Sequence, residues 1–210
     1  MKRYLMYIGM LFGALSCTPE RFRPATGDLL FQITPSSPMS DAITDATARK
    51  NLPGYTHVAI AIRHESADSV IEATSKGGVR IVALDEFLKG SARIDGAPAV
   101  AVMRLRDTSG IASDAVTRAR SHLGAPYDYS FLPDNGKFYC SELVWESFRR
   151  EGRRIFSARP MNFRAPDGTL PAFWVELFAK QGEAVPEGVP GTNPDELSRD
   201  PQLQEVHRYF

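Results

Sequence analysis

The sequence predicts an α+β fold in which an antiparallel sheet packs against helices, and three observations support this class. Several strand-type segments follow one another with few helices between them, which favours antiparallel pairing. Segments with helical periodicity are concentrated in the second half of the chain. The chain has 210 residues, 43% of them hydrophobic, which is enough for one sizeable core.

The strand predictions depend on runs of β-branched and apolar residues between turn residues. The clearest run is YTHVAIAI, in which Thr56, Val58, Ile60 and Ile62 form a bulky face. The other face is small apart from Tyr55 and His57, and we expect it to leave room for an incoming helix. The predicted strands cover 27–32, 55–62, 69–74, 77–82 and 99–105.

The helix predictions depend on apolar stripes that end near glycine. A first helix is compatible with residues 37–50, where Pro38 stands near the start. Three more are predicted over 111–123, 140–151 and 171–180. The region 188–201 is rich in Pro, Gly and Asn, and we expect it to cover the surface irregularly.

The N-terminal residues resemble a leader for export. Lys2 and Arg3 precede a thirteen-residue apolar run over 4–16, which is short for the roughly 20 residues of a membrane-spanning helix. The run ends in Ala-Leu-Ser-Cys, which resembles a lipobox, so Cys17 is predicted to carry the lipid anchor. The alternative is an ordinary signal peptide with a coincidental cysteine. We therefore divide the chain into a lipoprotein leader (1–17), a tether (18–26) and one domain (27–210), and expect it to lie in the bacterial cell envelope.

The charge balance and the cysteine count exclude some functions. Lys and Arg total 25, as do Asp and Glu, so the chain is neutral and gives no electrostatic reason to expect nucleic acid. Two cysteines are too few for a zinc site of the CxxC type, and no cofactor is expected. If Cys17 is acylated, Cys140 remains a free thiol in an exported protein.

Cys140 begins the predicted helix in FYCSELVWESF. The N-terminus of a helix presents unpaired N–H groups and partial positive charge, which favour a thiolate and can bind an oxyanion. A buried cysteine without chemistry is the alternative, but the free thiol and the aromatic, turn-rich stretch before it favour a nucleophile.

A thiol nucleophile needs an imidazole to accept and return its proton. Of the four histidines, His64 lies in a polar connector, His207 in the C-terminal tail and His122 at a helix end. His57 lies in a strand, which makes it the candidate base, although a histidine satisfied within the core remains the alternative.

Glu72 is the candidate for the group that orients the imidazole. It interrupts the apolar run Val-Ile-Glu-Ala in the strand that follows His57. If the two strands pair as neighbours across the connector 63–68, the numbers of two residues that lie opposite each other add up to about 131. Glu72 then lies opposite Ala59 and diagonal to His57 on the same face, a separation that two long side chains can close. The alternative is a glutamate that points to water.

Five motifs, in this order, carry a family resemblance: GDLLF, YTHVAIAI, VIEAT with GGV, HLGAPYDYSF and FYCSELV. Over residues 27–148 the chain resembles the circularly permuted, NlpC-type papain-like cysteine hydrolases of the YiiX type. The resemblance implies a permuted papain-like fold, Cys140 as nucleophile, His57 as general base and Glu72 as orienting residue. It also implies a tyrosine that faces the oxyanion, for which Tyr127 is preferred over Tyr129 and Tyr139.

The resemblance implies a cysteine amidase or peptidase, and a peptidoglycan-type peptide is the expected substrate of an exported enzyme. A thiol acyltransferase or lipid hydrolase is the second enzyme class, because aromatic segments such as 171–178 are able to line an acyl pocket. A lipoprotein that binds lipid or peptide through a vestigial triad is the third. The expected partners are thus a cell-wall peptide or lipid-like substrate and, through Cys17, a membrane.

Overall fold

The computed structural model describes residues 22–47, 54–107 and 110–210. The predicted leader and Cys17 lie outside the described residues. In the described ranges, no helix is both long enough and apolar enough to cross a membrane.

The described residues form six helices and twelve strands. The helices are α1 (Pro38–Thr47), α2 (Leu84–Lys89), α3 (Ile111–Ser121), α4 (Cys140–Ser147), α5 (Ala172–Gln181) and α6 (Pro194–Leu197). The strands are β1 (Leu29–Gln32), β2 (His57–Ile62), β3 (Ser69–Thr74), β4 (Gly78–Ala83), β5 (Arg93–Ile94), β6 (Ala97–Pro98), β7 (Val100–Leu105), β8 (Arg149–Arg150), β9 (Arg153–Arg154), β10 (Arg159–Pro160), β11 (Pro190–Gly191) and β12 (Leu203–Arg208).

Six strands form the main sheet in the order β12-β7-β1-β2-β3-β4. Every neighbouring pair is antiparallel, as predicted. The strands β2 and β3 pair as Ile60 with Ile71 and Ala61 with Val70, so the expected sum of 131 is confirmed. The α+β class and the antiparallel sheet are both correct.

The two faces of the sheet are covered by different helices. On one face, Val58 and Ile60 of β2 share a core with residues of α3 and α4, including Leu143. On the other, Ala59 and Ala61 share a core with α2 through Phe87. The expectation that the small face would receive the Cys140 helix is therefore wrong. The bulky face buries more apolar area against the long helices, and the small side chains accept the short helix α2.

Two local predictions require correction, and two elements were missed. The helix that begins at Cys140 ends at Ser147 instead of Glu151, because Glu151 (φ 50°) and Gly152 (φ 78°) form the tight turn between β8 and β9. The helix α2 and the edge strand β12 were not predicted. The region 188–201 contains β11 and α6 rather than only irregular chain. The Asn193 side chain caps α6 by accepting a hydrogen bond from the Glu196 N–H at 2.8 Å.

A third cluster, which we call the aromatic cluster, packs between α1 and α5. Its buried members are Ala42, Phe131, Tyr139, Phe163, Trp174 and Phe178. The rings meet largely edge to face, as for Phe163 and Trp174 at 5.1 Å and 88°. Because Tyr139 precedes Cys140, the cluster reaches the start of α4.

Candidate active site

Cys140 is the first residue of α4 and is 5% exposed. No side chain caps the helix at its N-cap residue Tyr139; instead, the Glu142 carboxylate accepts a hydrogen bond from the Tyr139 N–H at 3.3 Å. The first-turn amides next to the thiol therefore remain available to bind negative charge. Cys140 is a free cysteine.

His57 contacts both of its predicted partners. Its Nε2 lies 2.7 Å from Oε2 of Glu72. The ring lines the same cleft as Cys140, and interaction with the Cys140 side chain raises the pKa of His57. Because Glu72 occupies Nε2, the nitrogen left for the thiol is Nδ1. The structure thus brings His57 into contact with Glu72 and places both on the wall of the cleft that Cys140 lines.

The position of His57 at a strand end explains how it reaches Cys140. It is the first residue of β2, and its ring lies 5.9 Å from Phe87 of α2, on the face of the sheet opposite the body of α4. Since Cys140 is likewise the first residue of its helix, the two side chains meet at the ends of their elements. Both line one open cleft of about 450 Å³ together with Glu72.

The electrostatics of His57 favour its protonated form. Burial alone would lower the pKa of His57, but hydrogen bonds and charge interactions with Cys140 and Glu72 outweigh burial. Together they raise the pKa from its ordinary 6.5 to about 10. The site therefore stabilises an imidazolium beside Cys140, and an imidazolium is the form that can donate a proton to a leaving group.

Arg80 is a further charged member of the site that the sequence reasoning missed. It lies opposite Glu72 in the β3–β4 ladder and donates to Oε1 through Nε at 3.0 Å and through Nη2 at 2.9 Å. Burial raises the pKa of Glu72, but His57 and Arg80 outweigh burial and hold it below 4.5. The available signal was the register between β3 and β4, which places residues 72 and 80 side by side.

Tyr127 is the tyrosine that lines the cleft together with Cys140. Burial, followed by the charge of Cys140, raises the pKa of Tyr127 well above its usual range, so its hydroxyl stays protonated. Within the part of the chain that the structure describes, this hydroxyl has no hydrogen-bond partner. The rival hydroxyls are engaged elsewhere: Tyr129 donates to the Ser75 carbonyl at 2.8 Å, and Tyr139 accepts from the Thr192 N–H at 3.2 Å.

The other histidines lie away from the cleft. His64 is exposed. The ring of His122 lies 4.3 Å from that of Phe138 at a tilt of 42°, and the ring of His207 stacks on Phe22 at 4.0 Å. Trp174, from the predicted aromatic segment, does reach Cys140, because both line a second, small cavity.

A cysteine at a helix N-terminus that shares a cleft with a histidine held by a carboxylate is typical of papain-like thiol hydrolases. Comparison with known proteins extends this to a family: residues 23–207 match the permuted papain-like amidases described as the YaeF/YiiX, C92 family. The chain belongs to that family, as its motifs predicted.

Two relatives support the assignment. The uncharacterized protein YiiX of Escherichia coli strain K12 is 28% identical over 215 residues, which cover 98% of this chain and 96% of YiiX. A crystal structure titled metalloprotein YiiX, from Escherichia coli O157:H7, superposes with a TM-score of 0.72 at 26% identity. It covers 90% of this chain and 99% of that one.

Because that relative is described as a metalloprotein, the donor side chains of this chain bear on whether it holds a metal. Among the described residues, no three or more His, Cys, Asp or Glu side chains are grouped so as to hold a metal ion.

Proposed function

We propose that this protein is an exported, lipid-anchored cysteine amidase that cleaves amide bonds in peptidoglycan-type peptides. The observation that carries the enzymatic part is that Cys140, His57 and Glu72 line one cleft, where His57 contacts Glu72 at 2.7 Å and interacts electrostatically with Cys140. Membership of a permuted papain-like amidase family supports the reaction class. Export and anchoring through Cys17 are proposed from the leader sequence alone.

In the proposed reaction, His57 accepts the Cys140 proton and the thiolate attacks the scissile carbonyl carbon. The carbonyl π-electrons move to oxygen, where the first-turn amides of α4 and the Tyr127 hydroxyl donate hydrogen bonds to the oxyanion. As the oxyanion collapses, the C–N bond breaks and the His57 imidazolium protonates the leaving amine. Water, deprotonated by His57, then hydrolyses the thioester and regenerates the thiol.

Glu72 and Arg80 act on this reaction through His57. The Glu72 carboxylate fixes the ring so that Nδ1 faces Cys140, and it stabilises the imidazolium. Arg80 holds the carboxylate ionised in a buried position, where a lone charge is costly.

The test is incubation of the purified domain with muropeptides, followed by mass spectrometry of the products and of the protein. We expect products from the wild type, none from Cys140→Ala, and a rate about 10²–10⁴-fold lower for His57→Ala. His64→Ala is the matched control, since this histidine is exposed and outside the cleft. Equal rates for His57→Ala and His64→Ala would contradict the mechanism.

A further inference from the structure

The wall of the cleft carries a lysine that the proposed reaction does not use. Lys76 lines the cleft together with Cys140 and His57. It is an exposed residue, and in the described part of the chain no acidic side chain lies within ion-pair distance of its ammonium group. Its charge is therefore available to a molecule that enters the cleft.

The turn that presents Lys76 is held by the segment that carries Tyr127. On one side of the turn, the Tyr129 hydroxyl donates to the Ser75 carbonyl at 2.8 Å. On the other side, the Val79 N–H donates at 2.9 Å to a carbonyl of the same segment. The backbone of Lys76 thus has a defined position next to a residue that shares the cleft with Cys140.

Arg80 places a second cation beside this turn. A Cβ added at Gly77 would lie 3.0 Å from Cδ of Arg80 and 3.6 Å from its Nε, so the arginine stem packs across the turn next to Lys76. Nε and Nη2 both donate to one oxygen of Glu72. In the described chain Nη1 has no acceptor, and the Arg80 side chain is 43% exposed. One edge of the guanidinium is therefore free for another acceptor.

The charges on this part of the wall favour one more anion. Arg80 and the protonated His57 share the Glu72 carboxylate, and Lys76 adds a third cation. Glu86 is the other acidic residue among the described residues that line the cleft. It belongs to α2, which follows β4, whereas Lys76 precedes β4. A carboxylate brought by the substrate would balance the charge at the turn.

We propose that Lys76 and the Nη1 edge of Arg80 form a subsite for a carboxylate of the substrate. The amides that this enzyme cleaves then carry a negatively charged group close to the scissile bond. The proposal rests on the function proposed above, because it takes the cleft as the substrate site. It selects acidic peptides over neutral amides, since a carboxylate pairs with an ammonium and with the fork of a guanidinium.

The experiment compares alkylating reagents that differ in charge. N-Iodoacetylglycine carries a carboxylate where N-iodoacetylglycinamide carries a neutral amide of nearly the same size. With either reagent, the Cys140 sulfur forms a bond to the iodoacetyl carbon as iodide leaves. The same pair is made from β-alanine and from γ-aminobutyrate, which lengthen the tail. Each acid-to-amide rate ratio is divided by the ratio for N-acetylcysteine amide, a neutral free thiol, to give the corrected preference.

We expect the wild type to prefer the carboxylate reagent, and this corrected preference to be about two- to fivefold lower in Lys76→Met, as for the loss of one exposed ion pair. Lys76→Arg should keep most of the preference, because the positive charge remains. Lys89→Met is the matched control, since Lys89 is an exposed lysine of α2 that does not line the cleft. Arg80→Met should also lower the preference, and the division by the amide rate removes its effect on the thiol.

Equal corrected preferences in Lys76→Met and Lys89→Met at every tail length would overturn the subsite, as would an absent preference in the wild type. The protonated His57 also attracts the carboxylate reagents, so the comparison between the two lysine variants isolates Lys76. The amide rate of each variant reports whether its site is intact. A different result identifies failure of the proposed function itself: Cys140 would then react with iodoacetamide no faster than in His57→Ala.

Discussion

Replacing Glu72 by glutamine tests the charge arrangement of the site, because every contact of this carboxylate is as an acceptor. Oε2 accepts from His57 and Oε1 accepts twice from Arg80. A glutamine has one oxygen and one NH₂ group. In either orientation, the NH₂ group faces a donor, so one of the two partners must be lost.

The exposure of the two partners decides which contact survives. The Arg80 side chain is 43% exposed and is able to turn toward water, whereas that of His57 is 12% exposed. We therefore expect the glutamine oxygen to face His57 and Arg80 to be released. The hydrogen bond to His57 changes from a charged to a neutral acceptor, a loss of about 1–2 kcal/mol. That corresponds to a rate roughly 5–30-fold lower.

The assay is the rate of Cys140 labelling by iodoacetamide near neutral pH, which needs no substrate. A double-mutant cycle with Arg80→Met makes the test specific. Alone, Arg80→Met should slow labelling, because Glu72 loses its second cation. Combined with Glu72→Gln it should add almost nothing, because glutamine has already released the arginine.

Additive effects of the two substitutions would refute this reasoning, since they would show that Arg80 acts without Glu72. Arg80→Lys is the control for charge: it should recover part of the rate lost in Arg80→Met, but not all, because lysine does not reproduce the two-pronged contact.

Three further predictions concern stability and localisation. Burial raises the pKa of Glu142 from 4.5 to about 8. The contribution of the buried Glu142 side chain to the free energy of unfolding is therefore complete below about pH 4.5 and is lost as the pH rises to about 8. Urea unfolding should show a loss over this range, on the order of a few kcal/mol, that Glu142→Gln lacks; equal pH profiles would contradict the buried-acid assignment. Gly78 has φ +59°, and an added Cβ would lie 2.2 Å from the Ala125 carbonyl oxygen. Gly78→Ala should therefore lower the free energy of unfolding by about 1–3 kcal/mol. An unchanged urea midpoint would contradict this prediction. Cys17→Ala should move the protein from the membrane fraction to the soluble fraction, and an unchanged distribution would exclude the lipid anchor.

The parts of the fold that the sequence predicted have strong local signals. The alternation in β2 and β3 and the polar connector between them determined both the pairing and its register, since a slip by one residue would expose an entire apolar face. That register placed His57 and Glu72 on one face, as the structure has them.

The missed features depend on contacts between segments distant in the chain. The strand β12 pairs with β7 from almost a hundred residues away, and its sequence LQEVHR has few apolar residues because it lies at the edge of the sheet. Likewise, no local pattern shows that residues 191–194 reach α4. There Ser141 donates to the Thr192 carbonyl at 3.1 Å, and Thr192 lines the small cavity beside Cys140.

The charges around Glu72 explain why the residue that orients His57 is a glutamate. A neutral amide is the other common choice for orienting a histidine. Arg80 and His57 each approach one oxygen of the same carboxylate. Without the negative charge between them, the guanidinium would repel the imidazolium and lower the pKa of His57. With Glu72 ionised, the guanidinium and the imidazolium share one carboxylate. Charges of alternating sign thus run from Arg80 through Glu72 to His57, and the protonated form of His57 is supported by an arginine that was not among the predicted site residues.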